Sequence, residues 1–159
     1  MLLDHDVDFI LVGALSAVLQ GAPVMTVDVD IVHQRTEENI DALVEALDAL
    51  DAQFRGPPGK RLEPTREHLA STGHQLLTTI YGPLDLLGTI EHGLTYEQLL
   101  GDSIDVEFDG HRLHVLSLAK YVELKEESSL PKDRARIPVL RETLEMQKNA
   151  EREDSDEGQ

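Results

Sequence analysis

The chain has no cysteine and no tryptophan, and aromatic residues make up 4% of its 159 residues. Without cysteine there are no disulfides and no thiolate metal sites. Basic residues are scarce as well: 14 Lys and Arg stand against 31 Asp and Glu, a net charge of −17. That imbalance opposes loose binding to nucleic acid, which depends on cations that neutralise phosphates. It suits small polyanions carried in with metal ions, a basic protein partner, or a salt-adapted proteome. No apolar run approaches the length of a membrane span, so no membrane partner is expected. Residues 1–9 are acidic and lack the basic start of a secretory signal, which predicts a cytoplasmic location. The seven histidines lack the helical ligand spacing of a zinc site. His33, at the end of an acidic segment, is expected on the surface.

The hydrophobic content of 40% is ordinary for a globular chain, and the length allows one core but leaves two cramped. A single domain is expected over residues 1–148, followed by an acidic disordered tail, 149–159. Residues 7–13 read as a buried strand, 14–21 as a short helix closed by Gly21, and 25–33 as a second strand. Thr36 should cap a helix whose apolar stripe runs Ile40, Leu43, Val44, Leu47, Leu50. Residues 53–73 read as a long loop broken by Pro and Gly, which gathers Arg55, Lys60, Arg61 and Arg66. Two strands (74–82 and 83–90), a short helix (95–103) and a hairpin (104–116) turning near Asp109-Gly110 follow. Two helices close the chain, about 117–129 and 132–148, the second starting after Pro131, with Pro138 inside it kinking it or marking its real beginning. This order predicts an α/β (α+β) domain, a mixed β-sheet with helices packed against it.

Asp28 and Asp30 are two residues apart on a predicted strand, so they share a face. Two close carboxylates repel unless one is protonated or a cation lies between them. Hard oxygen ligands suit Mg²⁺ or Mn²⁺, which bridge carboxylates to substrate phosphates. Gly13 ends the first strand where a helix begins, a place where backbone N–H groups can meet a phosphate. Asp85 is a third acid inside an apolar strand. Leu118, Tyr121, Val122 and Lys125 fall on one helical stripe, and so do Asp133, Ile137, Leu140 and Leu144. Lys125 and Asp133 therefore face inward, at a site or at each other; a snorkelling lysine and a helix-start acid are the plainer readings.

In this order, Gly13-Ala14, then Thr26-Val27-Asp28-Val29-Asp30, then Leu84-Asp85-Leu86, the chain resembles the nucleotidyltransferase superfamily of the DNA polymerase β type. The phrase "LQGAPVMTVDVD" and the stretch from "HRLHVLSLAKYVELKEESSLPKD" are similar to its small bacterial abortive-infection (AbiEii) toxin-like branch. The resemblance covers roughly residues 8–145. It implies a nucleotidyltransferase-like fold and transfer of NMP from an NTP to an acceptor, with a toxin–antitoxin or phage-defence setting. It implies catalytic roles for Asp28, Asp30, Asp85, Lys125 and Asp133. Asp28, Asp30 and Asp85 would hold the metal, with Asp85 completing that site or helping to deprotonate the acceptor. Gly13, Ala14, Ser16, Thr26 and Lys125 would line the nucleotide site, Lys125 as its one nearby cation. Ala14 departs from the family's Gly or Ser, and Ser16 is the expected partial substitute. An alternative reading keeps the fold as a catalytically impaired binding module, an antitoxin-like partner protein. A tRNA acceptor is disfavoured by the net charge; a protein or small molecule is favoured.

Overall fold

Phe9–Val12 is apolar at every position, a pattern that suits a strand covered on both faces. It forms β1, and all four residues are buried. The computed structural model, which describes residues 1–158, builds a seven-stranded sheet around it. The strands are β1 (Phe9–Val12), β2 (Val29–His33), β3 (Gln53–Phe54), β4 (His74–Thr79), β5 (Gly82–Leu87), β6 (Ser103–Phe108) and β7 (His111–Leu116). Their order is β3-β4-β5-β2-β1-β7-β6. β2 runs antiparallel to β1 and parallel to β5, while β7 runs parallel to β1, so the sheet is mixed as expected. The helices are α1 (Gly13–Leu19), α2 (Glu37–Ala49), α3 (Arg66–Ala70), α4 (Tyr96–Leu99), α5 (Leu118–Glu126) and α6 (Pro131–Glu157).

Strand alternation divides the apolar residues between two cores. Phe9, Leu11, Ile31, Leu84 and Leu86 face the side covered by α2 and α3. Ile10, Val12, Val32 and Leu116 face the side covered by α1, α4, α5 and α6. Thr36 caps α2 by accepting the Asn39 N–H, and the stripe buries Ile40, Leu43 and Leu47. Each fully buried aliphatic side chain contributes roughly 1.5–3 kcal/mol, far more than helix propensity does. Asp109 (φ 50°) and Gly110 (φ 76°) form the hairpin turn. Both positive φ values are those of the two-residue turn that Asp-Gly favours.

Four local expectations give way. β2 begins at Val29, so Asp28 precedes the strand. Beyond Asp30, β1 offers no partner because the chain turns into α1 at Gly13, and β5 offers Pro83, which has no N–H to donate. The 53–73 loop is broken by β3 and by α3, which Thr65 and His68 close with a capping box. α6 starts at Pro131 as expected, and Pro138 lies inside it rather than marking its start. Residues 149–157 continue α6, where a disordered tail was expected; they are exposed and belong to neither core, so local propensity alone supports them.

His33 is also not on the surface. It is 1% exposed, lying under α3, with Nε2 donating to the Leu69 carbonyl at 2.6 Å. Nδ1 has no partner among the described residues. Burial holds its pKa below the ordinary value; the Leu69 carbonyl opposes that and Arg35 adds to it. The unfolded chain takes up a proton near pH 6.5, whereas the folded ring resists it. Stability should therefore fall as pH drops below about 6.5, and level off once the folded ring also protonates. Urea midpoints of the wild type and His33→Gln should diverge in slope between about pH 6.5 and 5. Parallel slopes would show that His33 does not carry the dependence.

Candidate active site

A cleft of about 360 Å³ opens where the start of α1, residues 25–30, α5 and the first turns of α6 meet. Asp28 and Asp30 line it, both half-buried. Burial pushes the Asp30 carboxyl above its ordinary pKa and Asp28 pushes it further, while Lys125, Arg55 and Lys132 pull the other way. Asp30 is thus a carboxylate that burial and a like charge have made costly, and a cation would relieve that cost.

Gly13 and Ala14 form the rim beside them. Gly13 has φ +68°, and a Cβ there would overlap Asp30 Oδ2 and stand 3.0 Å from its Cβ and Cγ. Glycine is needed both for the backbone turn and for the approach of Asp30. Thr26 also lines the cleft and donates its hydroxyl to the Asp28 carbonyl at 3.2 Å. Ser16 does not line it. Its side chain is fully buried, and its hydroxyl donates to the Gly13 carbonyl at 2.6 Å. The helical turn rather than a ligand takes up that hydroxyl.

Asp85 stands beside Asp30 without lining the cleft. Parallel pairing of β2 and β5 puts the two residues opposite one another, so their side chains share a face on neighbouring strands about 4.8 Å apart. The Asp85 carboxylate is held by Arg55. Arg55 follows β3 and lies in the same cross-strand row, its backbone N–H bonded to Leu76, which pairs with Asp85. Its Nε donates to the Leu77 carbonyl at 3.1 Å. Arg61 and Arg66 of the same segment pair with Asp51 and Asp41 at the surface, so Arg55 alone of these arginines reaches the candidate site.

The opposite wall is cationic. Lys125 faces inward as its helical spacing predicts, with Nζ 3.0 Å from Glu91 Oε1, 3.9 Å from Asp133 Oδ2 and 5.6 Å from the Tyr121 ring centre. Burial works against its charge, but Glu91, Asp133 and Tyr121 outweigh it and raise its pKa. Asp133 is buried and accepts the Ser128 hydroxyl at 2.6 Å. Lys125 is not the only cation. Lys132 and Arg136 line the same cleft, and Arg136 donates to the Met25 carbonyl at 3.0 Å. Sequence reasoning missed Glu91, Lys132, Arg136 and the role of Arg55. Lys132 and Arg136 carried a signal, since they sit one turn apart flanking Asp133.

Asp28 and Asp30 suit a divalent ion shared with substrate phosphates, because Mg²⁺ is usually held by one or two carboxylates and completes its shell from water and phosphate. Among the described residues no group of three or more His, Asp or Glu stands together as a ready-made metal cage. Nor is any helix long and apolar enough to cross a membrane.

No protein-family signature matches the chain, and no curated protein does. Solved structures do. TM1012 of Thermotoga maritima, provisionally described as a nucleotidyltransferase, is 20% identical with a TM-score of 0.52, over 91% of this chain and 89% of its own. The lincosamide antibiotic adenylyltransferase LnuA, solved with lincomycin bound, is 11% identical with a TM-score of 0.55, over 87% of this chain and 88% of its own. At such identities the likeness is one of architecture, and it spans nearly the whole chain: the mixed seven-stranded sheet and its flanking helices have the nucleotidyltransferase fold.

Proposed function

We propose that this chain is a metal-dependent nucleotidyltransferase that moves a nucleoside monophosphate from an NTP to an acceptor hydroxyl. The observation that carries the reading is the two-sided cleft, with Asp28 and Asp30 on one wall and, on the other, Lys125, Lys132 and Arg136 around the single carboxylate of Asp133. In the reaction the acceptor oxygen attacks the α-phosphorus, the bond to the pyrophosphate oxygen breaks, and the acceptor proton passes to a carboxylate. Asp28 and Asp30 would hold Mg²⁺ or Mn²⁺, which supplies neutralisation of charge on the phosphates. Lys132 and Arg136 bind the phosphate oxygens, and Lys125 is oriented by Glu91 and Asp133. Gly13 and Ala14 line the rim along which the chain of phosphates would lie.

A neighbour of this fold that is an adenylyltransferase for an antibiotic supports a small-molecule acceptor, and the net charge of −17 weighs against tRNA. The motif order of the AbiEii branch extends the proposal to a toxin–antitoxin or phage-defence role, where a protein partner is the alternative acceptor. The test is incubation with each labelled NTP and Mg²⁺ or Mn²⁺, following pyrophosphate and label transfer to candidate acceptors. A second reading is favoured by Ala14 and by the Arg55–Asp85 pair: a nucleotide-binding module with impaired catalysis. It predicts saturable NTP binding without pyrophosphate in the same experiment.

The cationic wall gives a further expectation. Lys125 is already matched by two carboxylates, whereas among the described residues Arg136 pairs with none and meets only neutral partners, the Met25 carbonyl and the Tyr121 hydroxyl. Arg136→Ala should weaken NTP binding by about tenfold or more, the scale of a charge-assisted hydrogen bond. Lys125→Ala should weaken it less, and Lys148→Ala, at an exposed site beside Glu145, should not weaken it. Calorimetric titration with NTP checks the order; a larger loss for Lys125→Ala than for Arg136→Ala would reverse the assignment.

A further inference from the structure

We infer that Arg55 is a built-in cation that takes the place of a divalent ion at Asp85, a carboxylate beside the cleft, so that the cleft holds one metal ion, on Asp28 and Asp30. The inference rests on the proposed reading of Asp28 and Asp30 as metal ligands. Asp30 and Asp85 are register partners on adjacent parallel strands, and two carboxylates on one sheet face at that spacing repel. The repulsion is answered within the chain. Arg55 lies farther along the same row, beyond Leu76, and its guanidinium crosses the row to Asp85 Oδ1.

Three contacts fix it there. The backbone N–H is bonded to Leu76 at 3.0 Å, Nε to Leu77 at 3.1 Å, and the terminal nitrogen to Asp85. The Asp85 side chain is 12% exposed and that of Arg55 34%. The pair is therefore largely withdrawn from water on the carboxylate side, where screening is weak and a broken pair is costly. An ion approaching Asp85 must displace a guanidinium anchored to the backbone, and Mg²⁺ also gives up its own water reluctantly. Asp85 thus remains a charged neighbour of the site rather than one of its ligands. Arg55 is a positioning residue: it touches Asp85 and acts on the metal site through it.

The test counts bound Mn²⁺ by electron paramagnetic resonance, with Mn²⁺ alone as the probe and no turnover required. Arg55→Met keeps the aliphatic stem and removes the charge. It should bind one Mn²⁺ more per chain than the wild type, and adding Asp85→Asn should remove the extra ion. No gain in Arg55→Met overturns the inference. The double variant Arg55→Met with Asp85→Asn replaces an ion pair by a neutral pair and serves if the single variant fails to fold. It should keep the wild-type Mn²⁺ count and affinity to within about threefold, since no net charge is lost from the row. Loss of wild-type Mn²⁺ in that variant would make Asp85 a ligand and also overturns the inference. Absence of pyrophosphate from every NTP would count against the proposed enzyme while leaving the Mn²⁺ difference to be read on its own.

Discussion

Asp28→Asn combined with Asp30→Asn is expected to abolish pyrophosphate release while making the metal-free protein more stable. Removing both carboxylates removes the metal ligands of the proposed reaction. Loss of several kcal/mol of charge stabilisation in the transition state corresponds to at least about a thousandfold in rate. The stability effect has the opposite sign because Asp30 is raised by burial and by Asp28. A carboxyl whose folded pKa lies above its unfolded value costs nothing at low pH, where both states are protonated. The cost appears as pH rises past the unfolded value near 3.9 and is complete once the folded group also ionises. At neutral pH the wild type bears that cost and the double variant does not. Millimolar Mg²⁺ with an NTP should raise the melting temperature of the wild type and leave the variant unmoved. Calorimetry with and without Mg²⁺, against NaCl at matched ionic strength, separates site binding from screening. An equal rise in both proteins would remove the metal from the proposal.

Gly13→Ala should cost about 2–5 kcal/mol of stability. Placing a side chain at φ +68° costs roughly 1–2 kcal/mol, because Cβ crowds the following carbonyl. The remainder, about 1–3 kcal/mol, comes from the overlap of that Cβ with the Asp30 carboxylate, an overpacking cost. Against a typical total of about 5–15 kcal/mol this is a large fraction. The two parts can be separated. In an Asp30→Gly background the Oδ2, Cγ and Cβ atoms that crowd the new side chain are all gone and only the backbone term should remain, so the double-mutant cycle should show coupling of about 1–3 kcal/mol. Denaturant midpoints for the four proteins give the number. Strict additivity would mean that Gly13 is required for its turn alone and does not make room for Asp30.

Much of this fold was legible because its signals are local. Thr36 announces α2, Asp109-Gly110 announces the β6–β7 turn, and the stripes of α5 and α6 orient Lys125 and Asp133 inward. Asp28 and Asp30 were found by their spacing even though only Asp30 lies in a strand, because both still line the cleft. What was not legible depends on register between distant segments. Arg55 lies 30 residues from Asp85, in a stretch whose basic residues looked alike. Only the pairing of β3, β4 and β5 sets it apart from Arg61 and Arg66. Glu91 sits in a turn without periodicity, and His33 looked exposed because nothing near it in sequence announces that α3 will cover it. Ser16 shows the converse error: a hydroxyl near a glycine turn was assigned to a ligand, whereas its own helix uses it.

The two outer strands set the terms on which one copy of this chain can meet another. β3 is two residues long and runs into Pro57 and Pro58, so it presents almost no backbone for a further strand to join. β6 is longer, but it carries Asp105 and Glu107 on one face at exposed positions. Two such edges brought together would set carboxylates against carboxylates, a pairing that like charges oppose. The acidity that shapes the cleft therefore also limits growth of the sheet from molecule to molecule. A fibre or a strand-joined dimer would need a partner edge of opposite charge.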